Sequence, residues 1–192
     1  MQEINSAPSP PRRRRLRRWA LRARRILTGR RVRPLWLHCL LAFPLATVPA
    51  LGLVLVGVAV LGVFGIEVPP EGPVKIELTA RDVSITVVVA PLVETFLLAL
   101  GVAVLAVFLK RAVLVAAVSA LLWGALHGLA APFWFVGATW PFFVYSACFL
   151  AWCPGSFRRG LTAAFIPHAL NNGAVIVFVA LEQLVEAVLG VA

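Results

Sequence analysis

The sequence predicts an all-α membrane protein, a polytopic bundle of about five transmembrane helices with its N-terminus inside. Hydrophobic residues make up 61% of the 192 residues, whereas soluble domains are nearer half apolar. Beyond residue 34, the chain contains five apolar runs of roughly the 20 residues needed to cross a bilayer. We therefore divide it into a basic tail, residues 1–34, and a transmembrane bundle, residues 35–192.

The tail carries most of the formal net charge of +10. Twelve of the 18 Lys and Arg residues are arginines between Arg12 and Arg33. Such a segment can bind nucleic acid or anionic lipid head groups, and before a first helix it also holds the N-terminus in the cytoplasm. We expect the topological role, with contact to anionic head groups and no nucleic-acid partner. The tail is predicted to be disordered, or to form an interfacial helix from Leu16 to Leu27.

The first two spans are separated by a polar loop. Trp36 to about Phe64 is the first apolar run, and it contains two prolines, Pro44 and Pro49. Gly65–Asp82 is rich in Pro, Gly and acidic residues, a composition typical of a loop. Val83–Leu109 is the second apolar run, and a pair of basic residues ends it.

The remaining three spans follow with short breaks. The third runs from Ala112 to about Phe135, and the glycine and proline in Gly137–Pro141 predict the next break. The fourth span ends near Trp152, where Cys153–Gly160 predicts a turn. The last span runs from Leu161 to about Leu181, after which the chain is expected to finish as an amphipathic helix end.

The charges between the spans alternate in a way that supports five helices. After the basic tail come an acidic loop, the basic pair Lys110 and Arg111, an uncharged break and the basic pair Arg158 and Arg159. With five helices and a cytoplasmic N-terminus, every basic cluster lies on the cytoplasmic face, as the positive-inside rule requires. We expect a multi-pass protein of a bacterial cell membrane, with the lipid bilayer as its surroundings.

Four polar residues inside the apolar runs are the candidate site. Glu94 lies in the second span, His127 in the third, and His168 and Asn172 in the last. An ionisable group at the bilayer centre costs about 2.5–3.5 kcal/mol even on insertion scales, so it indicates function by default. Each residue alone has a structural explanation: a packing histidine, a protonated Glu94 hydrogen-bonded to a carbonyl, or an asparagine linking two helices. Their occurrence together favours a site, because buried polar groups must find partners.

Counting residues from the basic pairs gives an approximate depth for each candidate. At 1.5 Å per residue, Glu94 and His127 each lie roughly 24 Å from Lys110 and Arg111, which predicts contact between them. From Arg159, Asn172 lies at roughly 20 Å and His168 at only about 14 Å. Helix tilt, a helix start after Gly160 or a kink at Pro167 are the explanations that the sequence leaves open for His168.

The segments that contain these residues resemble one membrane family. A-P-L-V-E-T around Glu94, W-G-A-L-H-G around His127, and I-P-H-A-L-N-N around His168 and Asn172 resemble the CPBP family, the CAAX-processing and bacteriocin-processing (Abi-type) intramembrane endopeptidases. The family pattern is E-E-x-x-x-R on one helix, F-x-x-x-H on the next and H-x-x-x-N on a later one. The resemblance covers a core from about residue 83 to 190.

The chain departs from the family pattern at three positions. Trp123 stands where the family has Phe, Thr95 replaces the second Glu, and Ala99 stands where the family has Arg. The missing Arg removes a cation that could orient or ionise Glu94. Loss of the acid and the base together is self-consistent, because an unpaired Arg in the membrane would be costly.

The resemblance implies an intramembrane endopeptidase that hydrolyses a peptide bond of a peptide or membrane-anchored protein substrate. Glu94 would be the general base that activates a water, His127 would orient the water or exchange protons with the leaving amine, and His168 and Asn172 would donate to the oxyanion. No cofactor is expected, although two His and one Glu are also a catalytic zinc set, which leaves Glu94, His127 and His168 as alternative metal ligands.

Two other functions remain open at the level of sequence. The substitutions at Thr95 and Ala99 favour a catalytically weakened relative that acts in immunity, binding or scaffolding. The same Glu and His residues would also suit a small transporter or proton relay, but the chain shows no internal repeat of the kind found in transporters.

Overall fold

The computed structural model describes residues 34–66 and 77–190. Five helices follow in chain order, and the described residues contain no strand. They are α1 (Leu35–Val63), α2 (Ala80–Phe108), α3 (Ala112–Ala130), α4 (Trp134–Trp152) and α5 (Phe157–Leu189). The interfacial helix predicted between Leu16 and Leu27 lies outside the described residues.

All five helices are long and apolar enough to cross a membrane, which confirms the predicted all-α bundle and a multi-pass membrane protein. Their outer surfaces expose large aliphatic and aromatic side chains such as Val63, Phe108 and Leu129. In water such a surface would drive aggregation, whereas in lipid it is the ordinary outer face of a bundle.

The bundle is built on small residues that let helices approach closely. Helix α1 buries an i, i+4 stripe of Ala42, Ala46 and Ala50, the residue type that allows close backbone contact between membrane helices. Helix α4 is the central element, and its buried side chains include Tyr145 and Phe142. The elements that carry the candidate residues therefore pack around α4.

The break between the third and fourth helices lies earlier than the sequence indicated. The segment Gly137–Pro141, predicted as a break, is helical and lies inside α4, so that prediction was wrong. The chain breaks at Ala131 instead, whose extended backbone (φ −152°, ψ 126°) is the conformation that a following proline, Pro132, imposes. Helix α3 consequently ends at Ala130, not near Phe135.

Two other helices begin before their predicted starts. The Thr79 hydroxyl accepts a hydrogen bond from the Asp82 backbone N–H at 3.1 Å, an N-cap that starts α2 at Ala80 and not at Val83. Helix α5 begins at Phe157 rather than Leu161 and runs for 33 residues to Leu189. At 1.5 Å per residue it is about 50 Å long, well beyond the roughly 30 Å of a hydrocarbon core.

A proline-freed carbonyl links α1 to α4. Pro49 has no N–H, so the Leu45 carbonyl one turn earlier loses its intrahelical partner. The Trp140 indole of α4 donates to that carbonyl at 2.8 Å. An otherwise unpaired backbone group in the membrane thus becomes an interhelical contact.

Close approach of α3 and α4 depends on Gly124. A Cβ atom built on Gly124 would clash with the Thr139 side chain and lie 3.2 Å from the Phe135 carbonyl oxygen. The absence of a side chain at this position therefore sets the α3–α4 spacing, one turn before His127.

Candidate functional site

A cavity of about 490 Å³ lies between the helices and contains all four predicted residues. This volume is within the roughly 300–1,000 Å³ range of small-ligand sites. Every helix contributes to its wall, which consists of Val54, Ile85, Thr86, Ala90, Glu94, His127, Phe133, Trp134, Gly137, Ala138, Pro141, Tyr145, His168, Asn171, Asn172 and Val175. The structure thus brings Glu94, His127, His168 and Asn172 to a single site.

Glu94 pairs with His168 across the α2–α5 contact. The His168 Nε2 atom lies 3.5 Å from Glu94 Oε2. This separation suits an electrostatic contact but is longer than a well-formed N–H···O bond of about 2.7–3.2 Å. The His168 side chain is 4% exposed and that of Glu94 26%. The imidazole is therefore enclosed, while the carboxylate keeps part of its surface toward the cavity.

Thr95 holds the opposite side of the same imidazole. Its Oγ1 atom lies 3.4 Å from His168 Nδ1, and both residues are buried. A carboxylate can only accept hydrogen bonds, so the Glu94 contact favours the proton of His168 on Nε2. In the neutral ring, Nδ1 is then the acceptor for the Thr95 hydroxyl. Both ring nitrogens consequently face protein groups on α2.

His127 is oriented by its own helix. Its Nδ1 atom lies 2.9 Å from the Trp123 carbonyl oxygen one turn earlier. A carbonyl has no proton to give, so Nδ1 is the donor, and Nε2 of the neutral ring carries the lone pair. His127 is half-buried and lines the cavity. Its unprotonated nitrogen is thus available as a proton acceptor.

Phe142 of α4 contacts both histidines. Its ring centroid is 5.1 Å from that of His127 and 5.3 Å from that of His168. Phe142 also contacts Trp123, whose ring stacks on it at a centroid distance of 4.6 Å and an interplanar angle of 7°. Trp123 therefore packs against the phenyl ring that both imidazoles contact. This is the position at which the resembled family has Phe.

Asn172 satisfies a backbone carbonyl of a π-helical turn in α2. Ile85–Val89 form this turn, and the Ala90 N–H bonds the Ile85 carbonyl five residues earlier. In the same register, the Thr86 carbonyl would face the N–H of residue 91, which is a proline and has none. The Asn172 Nδ2 atom donates to this carbonyl at 3.0 Å. One N–H of the Asn172 amide is thus committed to structure, and the amide keeps a second.

The depth count misplaced His168. In the described part of the chain Glu94 forms no hydrogen bond or ion pair with His127, and its carboxylate contacts His168, which the count made shallow. The count assumed upright helices with level basic ends. Helices α2 and α5 have 29 and 33 residues, more than an upright span needs, and long helices commonly tilt in the bilayer. A late start of α5 is excluded because it begins at Phe157.

The sequence reasoning missed several polar residues of the cavity wall, among them Tyr145 and Asn171. Tyr145 is the only tyrosine in the chain and lies in the fourth span, so a lone hydroxyl among apolar residues was the available signal. Asn171, adjacent to Asn172, accepts a hydrogen bond from the Thr47 hydroxyl of α1 at 2.7 Å. Because α1 lay outside the family motifs, nothing in the sequence linked it to the site.

The alternative zinc ligands do not form a metal-binding group in this arrangement. Over residues 34–66 and 77–190, no three His, Cys, Asp or Glu side chains come together as a potential metal set. Glu94 and His168 contact each other, and the ring of His127 contacts that of Phe142.

Comparison with protein-family models, with curated proteins and with solved structures finds no match for this chain. The site contains one carboxylate, two oriented imidazoles and two amides around a cavity inside an apolar bundle. Such an arrangement can hold a polar group in the membrane, accept a proton from it through Glu94, and supply hydrogen-bond donors to an oxygen that gains charge.

Proposed function

We propose that this protein is an intramembrane endopeptidase of the CPBP type, which hydrolyses a peptide bond of a membrane-associated substrate. The observation that carries the proposal is the partly exposed Glu94 carboxylate, paired with His168 at 3.5 Å at the wall of a cavity that His127 and Asn172 also line. An acid, two histidines and an asparagine in this order on three helices are the groups that the resembled family uses.

Glu94 is the general base of the proposed reaction. Its carboxylate takes a proton from a water in the cavity as the water oxygen attacks the carbonyl carbon of the substrate. His168 fixes the orientation of the carboxylate, because the imidazole is itself held between Glu94 and Thr95. General-base catalysis of this kind typically contributes about 10²–10⁴-fold to the rate.

His127 and Asn172 act on the two substrate atoms that change charge, the nitrogen of the leaving amine and the carbonyl oxygen. The unprotonated Nε2 of His127 receives a proton and passes it to the leaving amine. The N–H of Asn172 that is not bonded to Thr86 donates to the carbonyl oxygen as it becomes an oxyanion. A preorganised donor in this role is worth about 2.7–4 kcal/mol of transition-state stabilisation.

The proposed setting is a bacterial cell membrane with the basic N-terminus in the cytoplasm. The basic pairs Lys110–Arg111 and Arg158–Arg159 precede or follow spans that alternate in direction, and five spans put these pairs on the side of the N-terminus. This topology supports the arginine-rich tail as an anchor to anionic head groups.

The experiment that tests the function compares protein N-termini in membranes that contain the wild type or Glu94→Gln. Glu182→Gln is the matched control, because Glu182 is an exposed glutamate of α5 outside the cavity. We expect a set of new substrate N-termini, identified by mass spectrometry, with the wild type and with Glu182→Gln but not with Glu94→Gln at equal membrane abundance. The same N-termini with Glu94→Gln, or none with the wild type, would contradict the proposal.

A further inference from the structure

Tyr145 has a buried hydroxyl with no protein partner. The residue is 1% exposed, and its hydroxyl forms no hydrogen bond within the part of the chain that the structure describes. Buried side-chain polar groups are nearly always paired, so an exception needs an explanation. Tyr145 also lines the cavity that contains Glu94 and the two histidines. A group bound in that cavity would therefore be the partner of the Tyr145 hydroxyl.

The ring of Tyr145 is held rigidly, and the hydroxyl is not needed to hold it. The ring stacks on His168 at a centroid distance of 4.6 Å and an interplanar angle of 19°, and it meets the edge of Phe142 at 5.6 Å. A phenylalanine would make both contacts without burying a polar atom. Neither ring contact therefore requires the hydroxyl.

Several other donors of the site already bond protein groups. His168 faces Glu94 with Nε2 and Thr95 with Nδ1, and Asn172 uses one of its two N–H groups on the Thr86 carbonyl. His127 uses its Nδ1 proton on the Trp123 carbonyl. Among the groups that line the cavity beside His168, the Tyr145 hydroxyl is an uncommitted and preorganised donor.

We infer that Tyr145 is a further catalytic residue, whose hydroxyl donates a hydrogen bond to the carbonyl oxygen of the peptide bond being cleaved. The inference rests on the proposed function. As the water oxygen bonds to the carbonyl carbon, its proton passes to Glu94 and the C=O electron pair moves onto the oxygen that Tyr145 contacts. The carbonyl then re-forms, the C–N bond breaks, and the leaving nitrogen takes up, through His127, the proton that Glu94 received. Tyr145 stabilises the oxyanion without transferring its own proton.

The test replaces the hydroxyl alone and uses its neighbour as a control. Tyr145→Phe keeps the ring contacts, whereas Ser146→Ala removes a buried hydroxyl that is paired with Ser119 at 3.0 Å outside the cavity. The substrate probe is a synthetic peptide that spans the strongest Glu94-dependent cleavage site found in membranes. It is cleaved by full-length protein in liposomes of phosphatidylethanolamine and phosphatidylglycerol.

The two variants are expected to behave in opposite ways. Tyr145→Phe lowers kcat by about 100-fold with little change in KM, the effect of losing one oxyanion donor, and its Tm is unchanged or raised because an unpaired polar group is removed. Ser146→Ala keeps kcat and lowers Tm.

Each of the other outcomes overturns either the role of Tyr145 or the proposed function. Cleavage that needs Glu94 but proceeds at the wild-type rate in Tyr145→Phe overturns the role of Tyr145 alone. A rise in KM at constant kcat overturns the oxyanion contact, since it indicates ground-state binding, and a lowered Tm shows that the hydroxyl is paired in the resting protein. Cleavage that is independent of Glu94 overturns the proposed function itself.

Discussion

Thr95 places a neutral hydroxyl beside the imidazole of His168. It occupies the position at which the resembled family has another Glu, and its hydroxyl contacts His168 Nδ1 at 3.4 Å. Ala99, which stands where the family has Arg, is fully buried one turn later on the same face of α2. A neutral hydroxyl and a methyl group thus replace a charged pair without leaving an unpaired charge in the core. Thr95 is accordingly a positioning residue that acts through His168.

Removal of the Thr95 hydroxyl should lower activity through the orientation of His168. Thr95→Val keeps the shape but leaves Nδ1 without its partner, so we expect kcat to fall by roughly 10-fold, equivalent to about 1.4 kcal/mol. Thr95→Ser restores the hydroxyl and should return kcat to near the wild-type value at an equal KM. If the valine and serine variants cleave equally well, the hydroxyl does not orient His168.

At the level of helices, composition predicted which segments would be helical but not where they would break. Five apolar runs indicated five spans, and the structure has them. Gly137–Pro141 was the wrong break because Pro141 is tolerated within α4, whereas Pro132 forces Ala131 out of the helix. In the sequence, both sites are a proline within an apolar run. Whether the helix continues through the proline depends on the surrounding packing.

The sequence named four candidate residues of the site but predicted only part of their geometry. Motif order grouped Glu94, His127, His168 and Asn172, and all four line one cavity. The pairing of Glu94 with His168 could not be predicted, because it depends on how far long helices slide and incline against each other. The Asn172 contact with Thr86 depends on a π-helical turn, a local change of register for which apolar periodicity carries no signal.

The α3–α4 contact should be sensitive to a single methyl group. Gly124→Ala adds a Cβ atom against Thr139 and the Phe135 carbonyl, so we expect a loss of about 1–3 kcal/mol through overpacking. His127, one turn away, should shift and cleavage should fall. Tm and cleavage rate measured on protein in liposomes check both effects.

Gly101→Ala is the matched control, since a Cβ atom at Gly101 meets nothing within 4 Å in the described residues. This variant should be no less stable than the wild type, because alanine favours the helix. Equal stability of the Gly124 and Gly101 variants would contradict the close approach of α3 and α4.

For the whole molecule, the cavity lies toward the helix ends that face away from the basic pairs. It is lined by the first half of α2, the last turn of α3, mostly the first half of α4 and the middle of α5, whereas Lys110–Arg111 and Arg158–Arg159 lie at or near the opposite ends of α2 and α4. If the basic ends are cytoplasmic, the cleavage site lies in the outer half of the bilayer. The substrate would then present its cleaved bond near the non-cytoplasmic surface.

The orientation can be measured with single cysteines and a membrane-impermeant maleimide. In a Cys153→Ser background, where Cys39 and Cys148 are buried, Glu77→Cys should be labelled in intact bacterial cells. Arg159→Cys should be labelled only after the membrane is opened, because the positive-inside rule keeps this residue in the cytoplasm. The reverse pattern, or labelling of both from one side, would contradict the proposed topology.

The central claim is that Glu94 activates a water inside the bundle, and its most direct test is the cleavage rate of purified protein in liposomes. Glu94→Gln replaces the base with a neutral isostere at the same position, so we expect the rate to fall by at least about 10²-fold while Tm stays near that of the wild type. Glu182→Gln should cleave at the wild-type rate. A folded Glu94→Gln protein that cleaves the same peptide at an unchanged rate would contradict the account.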